Sequence, residues 1–158
     1  MALHKPALEP RSVVAATATG YPEPYRSRVL PREKRRLGDA LGLTRIGINQ
    51  TTLAPGKESS MRHWHTREDE FVYVLEGEVV LRTGAGEQLL TAGMCAGFPA
   101  GVEDGHQLIN RSDRAAVYLE ISNRDAEDTG YYSDPDVDLL WSPPHAPKKF
   151  TRRDGTPY

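Results

Sequence analysis

The chain has 158 residues, 38% of them hydrophobic and 27% charged, which is enough for one domain whose core needs no disulfide or structural metal. Lys and Arg number 20 against 22 Asp and Glu, and the net charge of −2 argues against a broad electrostatic contact with nucleic acid. The single cysteine, Cys95, excludes an intramolecular disulfide and a multi-cysteine zinc site and favours a reducing compartment. We find neither a signal-peptide pattern nor a window near the roughly 18 apolar residues of a membrane span, so we expect a cytoplasmic protein.

The two ends of the chain differ in composition from its middle. Residues 1–28 hold four prolines and little periodicity, which predicts an extended arm. The basic cluster at 32–36 is interpreted as a solvated turn or short helix rather than an anion-binding patch, because the chain as a whole is slightly acidic. Residues 126–158 are polar and contain several prolines, and we expect them to form a tail packed on a central domain, residues 29–125.

The middle of the chain alternates short β-prone runs with turns rich in Gly, Pro and Asp. Eight runs are predicted as strands: 44–53, 60–65, 70–75, 78–82, 88–90, 95–98, 107–109 and 115–121. About eight short strands at close, regular spacing predict an all-β sandwich or barrel. No long stretch repeats apolar residues at the helical period.

Two of these predicted strands lead to expectations about burial. Both faces of 70–75 are largely apolar, whereas a strand with one face in water alternates apolar with polar residues. We therefore expect a cover over its outer face, either the ends of the chain or a second subunit, and favour a homodimer to which part of the arm contributes. In 115–121, Tyr118 and Glu120 share one face, and we expect the opposite, wholly apolar face to be the buried one.

Four residues of the predicted barrel are candidate ligands of a metal ion. His63 and His65 lie two apart on a strand and therefore point to the same face. Glu70 begins the next strand, and antiparallel pairing would bring its carboxylate alongside the two imidazoles. His106 stands at the head of a later strand. Together they would form a mixed nitrogen and oxygen site for one divalent transition metal ion, with positions left for water or substrate. Without a metal, three core histidines would need other buried partners.

The spacing of these residues resembles the two sequence signatures of the cupin superfamily. The signatures read Gly56-x6-His63-x-His65-x4-Glu70-x6-Gly77 and Gly93-x5-Pro99-x-Gly101-x4-His106-x3-Asn110. The resemblance implies a double-stranded β-helix (a jelly roll, or cupin barrel) with an extended N-terminal arm and a C-terminal tail. The chain is also similar to a group of small bacterial cupins, some of which carry sugar-phosphate-isomerase-like names.

The second signature departs from the family pattern. Two residues usually separate its Gly from its His, and four lie between Gly101 and His106. Counting the usual two would place Asp104 in the ligand position. We prefer His106, because Asn110 keeps the His-x3-Asn spacing and because Gly105 gives the backbone freedom to absorb the extra residues.

The residues and the resemblance together favour a metal-dependent enzyme acting on a small polar molecule, with the ion as a Lewis acid. With zinc, nickel or manganese the site suits an isomerase or lyase for a sugar phosphate or keto compound, and with iron it suits a dioxygenase. The alternative from another class is a barrel that binds or senses a small molecule without transforming it. The sequence identifies no general base, and we expect no nucleic-acid or membrane partner.

Overall fold

Short strands make up most of the regular structure in the computed structural model, which describes residues 3–141 and 150–158. The first six strands are β1 (Arg32–Arg36), β2 (Ile46–Leu53), β3 (His63–His65), β4 (Glu70–Glu76), β5 (Glu78–Thr83) and β6 (Gly86–Thr91). The other six are β7 (Cys95–Phe98), β8 (Gln107–Ile109), β9 (Ala116–Asn123), β10 (Gly130–Tyr132), β11 (Leu140–Trp141) and β12 (Phe150–Thr151). The helical elements are a 3₁₀ turn (Pro10–Ser12), α1 (Tyr25–Val29) and α2 (Leu37–Ala40). None of these described helices is long and apolar enough to cross a membrane.

Two antiparallel sheets form the barrel. One sheet has the strand order β1-β2-β9-β4-β7 and the other β6-β5-β8, while β10 pairs with β3 and β11 with β12. Each of the eight predicted strands overlaps an observed strand. The predicted all-β jelly roll is therefore confirmed.

The basic cluster forms strand β1, so its interpretation as a solvated turn or helix is wrong. β1 pairs with β2 such that Arg32 stands opposite Leu53 and Lys34 opposite Thr51. Leu53 and Thr51 are buried. Because directly paired residues share a face of the sheet, the side chains of Arg32 and Lys34 are directed to the inside of the barrel.

The buried face of β9 is also the opposite of the expected one. Tyr118 is fully buried, whereas Leu119 and Ile121 are only partly buried on the outer face. The Tyr118 ring packs in the apolar core, while Glu120, next along the same face, lines a polar cavity. The expectation failed because the inside of this barrel is apolar along only part of its length.

The buried hydrophobic residues form two clusters. The barrel core consists of Leu53, Val72, Val74, Val79, Leu81, Leu90, Leu108, Ala116 and Tyr118. The arm–tail core consists of Tyr21, Tyr25, Val29, Met61, Val137 and Leu139, with Tyr132 and Phe150 packed against it. The second cluster joins residues from both ends of the chain, which places those ends against the barrel. The exact division into arm, barrel and tail stays a prediction, and residues 142–149 of the predicted tail lie outside the described residues.

Candidate metal centre

The candidate ligands come from separate sheets and strands. β3 carries His63 and His65 and pairs with β10, and it meets His106 through a bridge in which His106 N donates to the His63 carbonyl at 2.9 Å. Glu70 begins β4, which lies between β9 and β7 in the five-stranded sheet. The predicted pairing of the strands that carry His63 and Glu70 is therefore wrong, since the carboxylate faces the histidines across the inside of the barrel.

Gly105 allows the close approach that positions His106. A Cβ atom at residue 105 would lie 2.9 Å from Ser133 Cβ and 3.2 Å from the backbone nitrogen of His63. Gly105 does not adopt the left-handed backbone conformation, so the expected role in backbone freedom is replaced by a steric one. A side chain at this position would clash with Ser133 and crowd the backbone of His63.

The structure brings all four predicted ligands together. The Nε2 atoms of His106, His65 and His63 lie 2.9, 3.6 and 3.8 Å from Glu70 Oε2. The ring centroids of His65 and His106 each lie 5.0 Å from that of His63. Three imidazole nitrogens thus face one carboxylate oxygen, an arrangement suited to a divalent cation.

Hydrogen bonds at the far side of two rings direct their Nε2 atoms toward Glu70. His63 Nδ1 lies 2.9 Å from the Met61 carbonyl oxygen, and His65 Nδ1 lies 2.5 Å from Asp128 Oδ2. Both partners are acceptors, so each Nδ1 carries the proton and each Nε2 keeps its lone pair. Bonds of this kind typically orient metal-binding histidines.

Two polar atoms of the group are buried without a hydrogen bond of acceptable geometry in the described part of the chain. They are Glu70 Oε2 and His106 Nδ1. A carboxylate oxygen without a hydrogen-bond donor is costly to bury, although it lies only 2.9 Å from His106 Nε2. A cation between Glu70 and the three Nε2 atoms would satisfy that oxygen, so the residues present fit a metal ion.

Electrostatics keep these groups in the protonation states that a metal requires. Burial lowers the pKa of His63 to about 4, helped by the neighbouring His106 and His65 and opposed by Glu70. Burial alone would raise the pKa of Glu70, but His106, His63 and His65 outweigh it and hold that pKa at about 2. At neutral pH His63 would therefore be a neutral ligand and Glu70 an anionic one.

Asp128 is a residue of the candidate site that sequence reasoning missed. Besides His65, it accepts hydrogen bonds from the backbone nitrogens of Arg67 and Glu68, at 2.8 and 3.1 Å. Oxygen and nitrogen atoms of His65, Glu68 and Asp128 lie within 4.8 Å of one another, as do those of His63, Glu70 and His106. His65 Nε2, 3.6 Å from Glu70 Oε2, connects the two groups. Asp128 lies 63 residues from His65 in the sequence, and no local motif marks it.

Asp104, the alternative to His106, lies elsewhere. It is exposed, and its Oδ1 accepts a hydrogen bond from the backbone nitrogen of Gly84 at 2.6 Å. The same oxygen lies 3.8 Å from a guanidinium nitrogen of Arg62. The structure thus brings His106, and not Asp104, to the other three candidate ligands.

Two cavities adjoin the candidate metal centre, and His65, Glu70 and His106 line both. The first, the arm-side cavity, has a volume of about 350 Å³ and is also lined by His63 and by residues of the arm, β1 and β9. The second, the hairpin-side cavity, has about 330 Å³ and is bounded by residues of β5, β6 and β7. A small molecule in either cavity would reach the ion.

Comparison with known proteins identifies relatives over nearly the whole chain. The Cupin domain family matches residues 49–122. A crystal structure from Silicibacter pomeroyi DSS-3, described as a sugar phosphate isomerase from a cupin superfamily, shares 40% sequence identity. That match covers 97% of this chain and 96% of the other, with a TM-score of 0.89.

More distant structures show the same fold. A protein of Acidithiobacillus ferrooxidans ATCC 23270, provisionally named a sugar phosphate isomerase, is 29% identical over 80% of each chain with a TM-score of 0.70. The polyketide cyclase RemF of Streptomyces resistomycificus is 16% identical over 82% of this chain and 87% of its own, with a TM-score of 0.65. No curated protein matches the sequence significantly. On the strength of the Silicibacter structure, the chain belongs to the cupin superfamily.

Proposed function

We propose that this cupin is a metal-dependent isomerase or lyase acting on a small polar substrate, either a sugar phosphate or another keto compound. The observation that carries the proposal is the convergence of three imidazole Nε2 atoms on Glu70 Oε2 at the wall of a 350 Å³ cavity. His63, His65, Glu70 and His106 would hold zinc, iron, nickel or manganese. The ion would supply Lewis-acid polarisation of a substrate carbonyl. The name of the Silicibacter relative, a sugar phosphate isomerase, supports this choice.

Such a reaction needs a group that moves a proton, and we assign that role to Glu120. Glu120 lines the arm-side cavity and stands opposite Val72, whose neighbour on the same face of β4 is Glu70. Lys34 Nζ lies 2.6 Å from the Glu120 carboxylate and orients it. Glu120 would take the proton from the hydroxyl-bearing carbon beside the carbonyl and return it to the former carbonyl carbon, while the hydroxyl proton passes to the former carbonyl oxygen, so that the carbonyl moves by one position.

Hydrogen exchange with solvent provides the test. Protein loaded in turn with each metal is incubated with a panel of aldose and ketose phosphates in D₂O, and deuterium at the carbon beside the carbonyl is followed by NMR. We expect exchange with at least one sugar phosphate. Glu120→Gln should retain its metal and slow exchange by about 10²- to 10⁴-fold, the usual contribution of a general base. Glu127→Gln, which changes an exposed carboxylate, is the matched control.

Other outcomes would contradict the proposal and identify its rivals. Oxygen uptake by iron-loaded protein with a chelating diketone, without proton exchange, would favour a dioxygenase. Tight binding of panel members with neither exchange nor oxygen uptake would favour a sensing or binding protein. Exchange that Glu120→Gln leaves unchanged would preserve the isomerase and remove Glu120 from its mechanism.

We also propose that the protein works as a cytoplasmic homodimer. On the outer face of β4, Phe71, Tyr73 and Leu75 remain 37–38% exposed, and Leu119 and Ile121 continue this apolar surface on β9. Contiguous exposed apolar patches of this kind mark interaction sites, and a second copy presents an identical patch. Tyr73→Lys should shift the protein from dimer to monomer in sedimentation equilibrium. Leu89→Lys, at an exposed apolar position on the other sheet, should leave the dimer intact, and a monomeric wild type would refute the proposal.

A further inference from the structure

Arg32 is a cation in the wall of the arm-side cavity. It stands opposite the buried Leu53 on the inner face of the five-stranded sheet, and it lines the same cavity as His63 and Glu70. Its guanidinium Nη1 donates a hydrogen bond to the carbonyl of Ser59. The next residue, Ser60, places its hydroxyl 3.2 Å from His63 Nδ1. Arg32 and the candidate metal centre thus border one cavity.

Arg32 has no anionic partner. The other cation of this wall, Lys34, is paired with Glu120 at 2.6 Å. Among residues 3–141 and 150–158, no carboxylate lies within 4 Å of the Arg32 guanidinium, and the residues outside those ranges include neither Asp nor Glu. A half-buried guanidinium without a counter-charge is costly, and an anionic ligand in the cavity would relieve that cost.

A hydroxyl group in the cavity wall near Arg32, that of Tyr118, adds hydrogen-bonding capacity. It is buried and makes no hydrogen bond of acceptable geometry in the described part of the chain. Burial raises the pKa of Tyr118 well above its ordinary value, while the positive charge of Arg32 opposes that rise. The hydroxyl of Tyr118 therefore stays protonated at neutral pH and lies within electrostatic range of Arg32.

We propose that Arg32 binds the anionic group of the substrate, a phosphate monoester or a carboxylate, at the side of the cavity where Tyr118 stands. A planar guanidinium donates two parallel hydrogen bonds to either anion. The candidate metal centre would then bind the carbonyl part of the molecule, and Glu120 would stand on the wall between the two. This assignment rests on the proposed function in taking the arm-side cavity as the substrate site, but anion binding is measurable without turnover.

Calorimetric titration of metal-loaded protein with inorganic phosphate and with acetate tests the assignment. Arg32→Gln should weaken binding of the recognised anion about ten- to hundredfold, the usual contribution of hydrogen bonds to a charged group. Arg35→Gln is the matched control, because Arg35 lies on the same strand, points to the other face and pairs with Glu33. If the anion bound only to the metal ion, its affinity would be the same for the wild type, Arg32→Gln and Arg35→Gln. Metal content and melting temperature are measured for each variant, and Arg32→Lys, which keeps the charge, should bind with intermediate affinity.

Each outcome decides the assignment. Phosphate binding that only Arg32→Gln weakens identifies a phosphate monoester site, and the same pattern with acetate identifies a carboxylate site. Equal affinity in wild type and Arg32→Gln, or no anion binding by the wild type, overturns the proposal. If Arg32→Gln fails to fold, equal affinities of wild type and Arg32→Lys overturn it. Arg32-dependent binding without hydrogen exchange on any sugar phosphate would leave this site in place while contradicting the isomerase.

Discussion

The barrel core and the arm–tail core both border the arm-side cavity, yet they differ in chemistry. The barrel core is aliphatic apart from Tyr118. The arm–tail core is rich in tyrosine: Tyr21 stacks on Phe150 with centroids 4.9 Å apart, and its hydroxyl accepts a hydrogen bond from that of Tyr132 at 3.3 Å. One region thus provides a rigid apolar support, and the other provides aromatic walls with polar tips.

Ion binding and substrate recognition draw on different parts of the chain. Residues 49–122, which match the Cupin domain, contain all four candidate metal ligands. Arg32, Tyr21 and Asp128 lie outside that segment and add the cation, an aromatic wall and the partner of His65. We infer that the ligands of the ion come from the matched segment, whereas the choice of substrate depends on residues on either side of it, with Asp128 supporting one ligand from outside.

The largest expected effect comes from removing a barrel ligand. His106→Ala removes one of four candidate ligands, the imidazole whose Nε2 lies nearest to Glu70 Oε2, at 2.9 Å against 3.6 and 3.8 Å for the other two. We expect bound metal to fall to background in elemental analysis of the purified variant. The protein should remain folded, as judged by circular dichroism, because the site stands beside the barrel core and not within it.

Asp104→Ala is the matched control for His106→Ala, since it removes the other residue that the second signature offers as a ligand. Asp104 is exposed and holds the backbone nitrogen of Gly84 at 2.6 Å. Its loss should leave metal content unchanged. If Asp104→Ala loses its metal and His106→Ala does not, His106 is not a ligand and Asp104 takes its place in the set.

A pair of cavity-creating variants tests whether the two cores are separate. Leu53 in the barrel core and Leu139 in the arm–tail core are both almost completely buried. Replacing either residue by Ala should lower the free energy of unfolding of its own region by about 2–5 kcal/mol. Leu53→Ala should lower hydrogen-exchange protection throughout the barrel, whereas Leu139→Ala should lower it mainly in the arm and tail.

The metal content of the two variants gives a second measurement. Leu139→Ala should retain its ion, because the ligands lie on barrel strands, while its arm-side cavity loosens. Equal loss of protection in the barrel amides of both variants would mean that the two cores unfold as one cooperative unit, and the proposed separation of tasks would fail.

Sequence reasoning predicted the barrel well because its cues are local. Gly and Pro turns separate short β-prone runs, so each of the eight predicted strands overlaps an observed strand. The cluster of candidate ligands was also predicted, although for a partly wrong reason. Local sequence does not determine which strands pair when they are far apart in the chain. The sequence therefore predicted that the strands of His63 and Glu70 are paired neighbours, whereas Glu70 faces His63 across the inside of the barrel.

The residues that sequence reasoning misplaced are those whose environment comes from distant segments. The charges of Arg32 and Lys34 indicated solvent, but pairing of β1 with β2 turns both side chains inward. Tyr118 and Glu120 indicated an outer face for the same reason, although the barrel interior holds a polar cavity. In each case polarity was interpreted as exposure, a rule that fails where a binding cavity replaces part of the core.

The smallest of these expected effects concerns Asp128, through which the tail contacts the candidate metal centre. Asp128→Asn removes the carboxylate charge that lies 2.5 Å from His65 Nδ1, so His65 should be held less firmly and be a weaker ligand. Loss of such an outer partner typically lowers metal affinity about 10- to 100-fold, measurable by competition with a chromogenic chelator. The matched control is Asp136→Asn, since Asp136 is an exposed acid of the same tail. If both variants bind metal as tightly as the wild type, the tail contributes nothing to the ion, and its role would be confined to the walls of the cavity.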